Sequence, residues 1–226
     1  MTTTTQPSPF FITDDQATAS PYWEARHELA DAMRKLNALV VTSDLSESDC
    51  QDITREVAAL THRLSARDQY PGIVAWSKAK KFGDMPRINY EVLSIGGRSH
   101  PGAPGMKMRR EGDDTIGTVT FDGAFEGPPG CVHGGWVAAL FDQFMGMVHM
   151  VGGNPGMTGG LSVRYVKPTP LYTELTLVGH HEVVSERRTK VTGEMLANGE
   201  VTATCEAMFV RAPTAFLMES FGLSAD

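Results

Sequence analysis

Residues 136–150, WVAALFDQFMGMVHM, constrain the fold more than any other stretch. Only Asp142, Gln143 and His149 are strongly polar in it. The run is too long for an ordinary strand and apolar nearly all round, which predicts a helix buried on most sides. Something must then surround it. "TIGTVTFDG" before the run alternates as a strand, and so do "LSVRYVKPTP", "ELTLVGHHEVV", "RTKVTGEMLA" and "EVTATCEAMFV" after it. Asn198-Gly199, between the last two, is a strong hairpin signal. The pattern predicts an α+β fold in which an antiparallel sheet wraps around one central helix.

Upstream, the spacing changes to that of amphipathic helices. Ser20-Pro21 opens a helical segment with Leu29, Met33, Leu36 and Val40 at helical intervals. "SDLSESD" supplies turn and N-cap residues such as Ser46 and Ser48. A second helix follows, with Ile53, Val57, Leu60 and Leu64 on one stripe. A short polar link between two similar helices predicts an antiparallel hairpin over 21–70. Residues 71–86 read as a connector, "RINYEVL" (87–93) as a short strand, and "SIGGRSHPGAPG" as a Gly- and Pro-rich loop. The expected organisation is a flexible tail (1–20), the helical hairpin (21–70), the sheet-and-helix domain (84–212) and a C-terminal tail (213–226).

A net charge of -7 argues against nucleic-acid binding by the chain as a whole. Cys50, Cys131 and Cys205 form no CxxC pair and leave one thiol odd, which points to a reducing compartment. The first twenty residues have no basic start and no long apolar run, so a signal peptide is not expected. No stretch approaches the length of a membrane span. The expected location is the cytoplasm.

The lone acid of the central run sits beside an unusual helix start. In "EGPPGCVHGGWVAALFDQFMG" (126–146), Pro128-Pro129-Gly130 makes a sharp, rigid approach. Gly134 and Gly135 then open the helix and leave its backbone accessible. The first N–H groups of a helix have no internal partner and carry the positive end of the dipole, so they suit a developing oxyanion. Asp142 lies seven residues after Gly135, about 10 Å along the axis. One bound acyl group could span both features. A carboxylate in so apolar a helix is costly unless it has a partner or a task.

"HGGWVAALFDQFMG", with "EGPPGCVHGG" before it and "GMTGGLSVRYVKPTPL" after it, resembles the His-Gly-Gly…Asp motif of hotdog-fold acyl-CoA thioesterases. The resemblance is to the branch holding PaaI-like bacterial proteins and human mitochondrial thioesterase superfamily members. It covers roughly residues 87–211 and implies hydrolysis of acyl-CoA to free acid and CoA without a cofactor. It implies Asp142 as general base or nucleophile, and a Gly134 backbone N–H that polarises the thioester carbonyl. His133 would shape the turn and Thr158, sixteen residues after Asp142, would help position water. Gly135 would border the substrate. Such sites form at a dimer interface, so a homodimer or homotetramer is expected, with Asp142 and Gly134 from different subunits. PaaI proper resembles a pattern with Asn about six residues before the His; Gly127 stands there in this chain.

The residue types agree with thioester hydrolysis, which needs a carbonyl polariser and a group that delivers water. GxSxG, HExxH and Cys-rich zinc patterns are absent from the sequence. His180-His181 resembles a metal pair, but neighbours on a strand face opposite sides, so no metal site is expected. In the resembling family the strand around Arg164 to Val166 and the region of Arg187, Arg188, Thr189 and Lys190 contact coenzyme A. Three cations in four residues suit its phosphates; a solvated hairpin tip is the alternative. Two other functions fit the fold: a non-catalytic acyl-CoA binder, which would not need Asp142, and a dehydratase, whose His–acid signature is not evident near the helix.

Overall fold

The computed structural model describes residues 11–14, 16–151 and 156–212. Helix α1 spans Pro21–Thr42, with Pro21 in its first turn, where a missing N–H costs nothing. Helix α2, Glu47–Ser65, starts with a capping box: Ser46 accepts from the Asp49 N–H and Asp49 from the Ser46 N–H. Both helices stand where the spacing put them, but α2 has no buried residue.

The faces of α1 divide otherwise than the leucine spacing predicts. Trp23 and Ala30 face inward, while Leu29 and Val40 are about half exposed. Polar groups dock the helix. His27 Nε2 lies 2.8 Å from Glu91 Oε2, and Arg87 meets the same buried carboxylate at 2.8 Å. Asp31 binds both Arg98 (3.0 Å) and Arg34 (2.7 Å), and these cations hold its carboxyl down at about 2.

Residues 73–92 depart from the expected connector and strand. Two short helices occupy them, α3 (Ile73–Lys78) and α4 (Met85–Val92). "RINYEVL" is therefore helical up to Val92, because Asp84 caps the Arg87 N–H and Pro86 sits in the first turn. Residues 11–14, within the expected tail, pack on the domain. Phe11 and Thr13 are about 1% exposed, and Asp14 is bonded to Tyr90 (2.9 Å) and to the backbone of Met108. Residues 1–10 and 213–226 lie outside the described set.

The sheet has six antiparallel strands: β1 (Lys107–Glu111), β2 (Asp114–Thr120), β3 (Gly156–Tyr165), β4 (Glu174–Ser185), β5 (Arg188–Ala197) and β6 (Glu200–Arg211). Their spatial order is β1-β2-β4-β5-β6-β3. β1 is charged and short and went unread in the sequence. The β5–β6 turn is Asn198-Gly199 with φ of 51° and 79°, as the hairpin signal requires.

Helix α5, Gly134–Val151, runs through the concave face of this sheet. Leu140, Phe141, Phe144, Met145 and Val148 are fully buried. Each contributes about 1.5–3 kcal/mol on burial. Leu175, Leu177, Val191, Met195, Ala203 and Phe209 meet them from the strands. This is the sheet-around-helix arrangement that the pattern predicted, and the hotdog fold that the resemblance implied.

Candidate active site

The α5 start is built by a rigid turn. Cys131 N–H bonds the Pro128 carbonyl at 2.9 Å, and Gly130 takes φ of 73° at the turn position that needs it. His133 N–H then bonds the Phe125 carbonyl (2.9 Å), in a short 3-10 helix, Gly123–Phe125. A Cβ on Gly127 would lie 2.7 Å from His133 Cα. The turn therefore leaves no room for a side chain at position 127.

Gly134 is the first residue of α5, and among the described residues its N–H has no acceptor. Gly135 N–H donates to His133 Nδ1 at 2.9 Å. The Tyr165 hydroxyl donates to the Gly134 carbonyl at 2.8 Å. A cavity of about 560 Å³ opens here, lined by Pro128, Cys131, Gly134, Gly135, Tyr165 and Val166 among others.

Asp142 lies eight residues beyond Gly134, about 12 Å further along the helix. It is not buried in the single chain: the carboxylate is exposed beside β3. Thr158 Oγ1 lies 3.2 Å from its Oδ1. The Thr158 and Tyr165 bonds together tie β3 to α5 at two points. Cys205 lies near Asp142, but burial, and then the Asp142 charge, push its thiol up to about 12. It is no thiolate nucleophile at neutral pH.

The structure thus gathers Gly134, Gly135 and Val166 at one cavity, with His133 bonded to the Gly135 N–H beside it, and pairs Asp142 with Thr158 further along the same helix. The remaining expected contacts lie elsewhere. Thr189 is 5% exposed and shares an inward row with Phe209 and Thr158. Its hydroxyl is not part of any surface cation patch. Arg188 and Lys190 alternate with it and so face the outer side of the sheet, away from α5. Arg187 and Arg188 are exposed, whereas Lys190 is paired with Glu206 at 2.8 Å. Arg164 is exposed and pairs across β6 with Thr204. Tyr165 was missed because the sequence drew notice to its neighbours, Arg164 and Val166; strand alternation was the signal that the residue between them turns to α5.

His180 Nδ1 lies 3.2 Å from Asp114 Oδ1. Among the described residues no group of three or more His, Cys, Asp or Glu is arranged to hold a metal. Among those residues, too, no helix is long and apolar enough to cross a membrane.

Residues 129–204 match the thioesterase superfamily. A crystal structure of a thioesterase superfamily protein aligns with a TM-score of 0.69 at 26% identity, covering 82% of this chain and 94% of that one. A hypothetical thioesterase of Streptococcus pneumoniae TIGR4, crystallised with coenzyme A, aligns at 20% identity over 46% of this chain and 86% of its own, with a TM-score of 0.44. The PaaI protein of E. coli, from the phenylacetic acid degradation operon, aligns at 13% identity over 49% and 81%, with a TM-score of 0.46. The chain carries the hotdog fold of the thioesterase superfamily, and residues 129–204, from the Pro-Gly turn through α5 to β6, are the part that matches that superfamily in sequence.

Proposed function

We propose that this chain is an acyl-CoA thioesterase, hydrolysing a fatty or aryl acyl-CoA to the free acid and CoA. The observation that carries the reading is the Asp142–Thr158 pair, an accessible carboxylate with a hydroxyl 3.2 Å away, on the helix that also offers an unpaired Gly134 N–H at its positive end. The superfamily match over 129–204 supports the same chemistry.

In this reading the thioester carbonyl oxygen sits on the Gly134 N–H, which stabilises the charge it develops. Thr158 donates to one oxygen of Asp142. The other oxygen takes a proton from water as the water attacks, and CoA leaves as the thiolate; or it attacks the carbonyl itself, CoA leaves as the thiolate, and water then cleaves the acyl–Asp142 anhydride to release the acid and restore the carboxylate. Within one chain the two features lie about 12 Å apart along α5. A dimer that brings Asp142 of one subunit to the Gly134 turn of the other resolves that separation.

The open edge of the sheet favours β3 as the dimer seam. Asp14 bonds both backbone groups of Met108 and so covers the β1 edge. β3 is the other edge, and Met157 and Tyr165 on it are 56% and 54% exposed. Unpaired edge strands of this length attract a partner. We assign 84–212 as the thioesterase domain and 21–70 as a helical extension. Free thiols at Cys50, Cys131 and Cys205 fit a cytoplasmic enzyme.

The test is a panel of acyl-CoA esters of differing chain length and aryl content, followed by free-thiol release. Hydrolysis of at least one ester, lost in Asp142→Asn, is expected. No thiol release from any of them, with acyl-CoA still bound, would favour a non-catalytic binder.

A further inference from the structure

We infer that Tyr165 is a positioning residue of this site: its hydroxyl, acting through the Gly134–Gly135 peptide, holds His133, the residue next to Gly134, in the tautomer that carries its proton on Nε2. The inference rests on reading this turn as the carbonyl-polarising site.

Two hydrogen bonds share one peptide unit. The Tyr165 hydroxyl donates to the Gly134 carbonyl at 2.8 Å. The N–H of that same peptide belongs to Gly135 and donates to His133 Nδ1 at 2.9 Å. A donor on the carbonyl draws electron density through the amide and makes its N–H the stronger donor, so the two bonds reinforce each other. With Nδ1 occupied as acceptor, the neutral imidazole must carry its proton on Nε2. His133 is exposed, and among the described residues Nε2 has no partner. The turn then offers two donors, the Gly134 N–H and the His133 Nε2–H. Both suit an oxygen that becomes negative.

Burial does not explain why Tyr165 is held there. It is 54% exposed, and its ring covers Gly134, with ring atoms 3.4 Å from where a Gly134 Cβ would stand. It turns toward α5 because it shares the inward row of Ala203 and Met195, whereas Arg164 points away. Ring and hydroxyl therefore have separable roles. The ring is a wall of the cavity, and the hydroxyl orders the donors.

Tyr165→Phe and Tyr165→Ala separate them, read by steady-state kinetics on the best acyl-CoA, by thermal melting, and by NMR of the His133 ring nitrogens and the Gly135 amide proton. Tyr165→Phe is expected to lower kcat about five- to ten-fold, the scale of one lost hydrogen bond, with KM within about two-fold. Its Tm should stay at the wild-type value. The His133 signals should move toward a tautomer mixture and the Gly135 amide proton upfield. Tyr165→Ala should add a rise in KM. Wild-type kcat in Tyr165→Phe, or unchanged His133 and Gly135 signals, would overturn the inference. Asp142→Asn, run alongside, keeps the two readings apart. If it hydrolyses normally, the functional reading has failed, while the NMR comparison still decides the tautomer.

Discussion

The Thr158 hydroxyl donates to Asp142 Oδ1 across 3.2 Å, which joins the edge strand β3 to the middle of α5 at a single carboxylate. The bond orients the acid without neutralising it. It also leaves the second oxygen available to water. If Asp142 is the base or nucleophile, Asp142→Asn keeps the shape and the Thr158 bond yet removes the reactive charge. Hydrolysis should then fall about 10²- to 10⁴-fold while acyl-CoA still binds. Near-normal turnover in Asp142→Asn would sink the assignment.

Thr158→Ala makes a subtler prediction. The hydroxyl bonds the carboxylate, so if it acts through Asp142 its loss should lower kcat several-fold and leave KM nearly unchanged. A change confined to KM would make Thr158 a substrate contact instead.

The seam can be tested on β3 itself. A Cβ on Gly160 would meet nothing within 4 Å in the single chain, although the strand around it is paired to β6. A large charged side chain there should fold well but obstruct a partner. Light scattering at micromolar concentration is expected to give a dimer or tetramer for the wild type and a smaller, less active species for Gly160→Arg. An active wild-type monomer would contradict the shared site.

The central helix and four later strands were legible because each follows one dominant period, and the Asn198-Gly199 turn carries its own backbone preference. Asp142 and the glycines stood out as exceptions to that period. What escaped notice depended on tertiary partners. "RINYEVL" resembles a strand by its β-branched and aromatic residues, yet Asp84 and Pro86, just before it, start a helix whose buried Glu91 is held by Arg87 and His27. β1 is four-fifths charged, and Met108 is its one apolar and one buried residue. α1 buries Trp23 and Ala30, with His27 on Glu91 and Asp31 on Arg98 beside them, rather than its leucine stripe, and apolar spacing alone does not report that mixed face.

The cation cluster divides in the structure, and so does its prediction. Lys190 is committed to Glu206, which leaves Arg187 and Arg188 as its exposed charges. If they bind the phosphates of coenzyme A, Arg187→Ala with Arg188→Ala should raise KM for acyl-CoA several-fold, and the rise should shrink at high salt. A pantetheine thioester, lacking the nucleotide, should be unaffected. Equal damage to both substrates would mean that the pair supports the fold.

His149 predicts how stability changes with pH. It is 2% exposed, stacked on Phe209 with centroids 4.5 Å apart, and neither ring nitrogen has a hydrogen-bond partner. Burial first, and then the neighbouring His181, push its pKa down from 6.5 to about 4. In the unfolded chain the ring titrates at its ordinary value, so between these two values the unfolded state holds the extra proton. The contribution is intact above pH 6.5 and is lost as the pH falls toward 4, amounting to roughly 3 kcal/mol at most. His149→Leu removes the titration while keeping an apolar side chain on α5. Its Tm at pH 7 should drop modestly, through lost stacking, and its decline between pH 6.5 and 4 should be shallower than that of the wild type. Since burial also holds His181 and His100 below their ordinary value, some decline should remain. Parallel Tm-versus-pH curves for the two proteins would mean that His149 is not titrating in the folded state's favour at all.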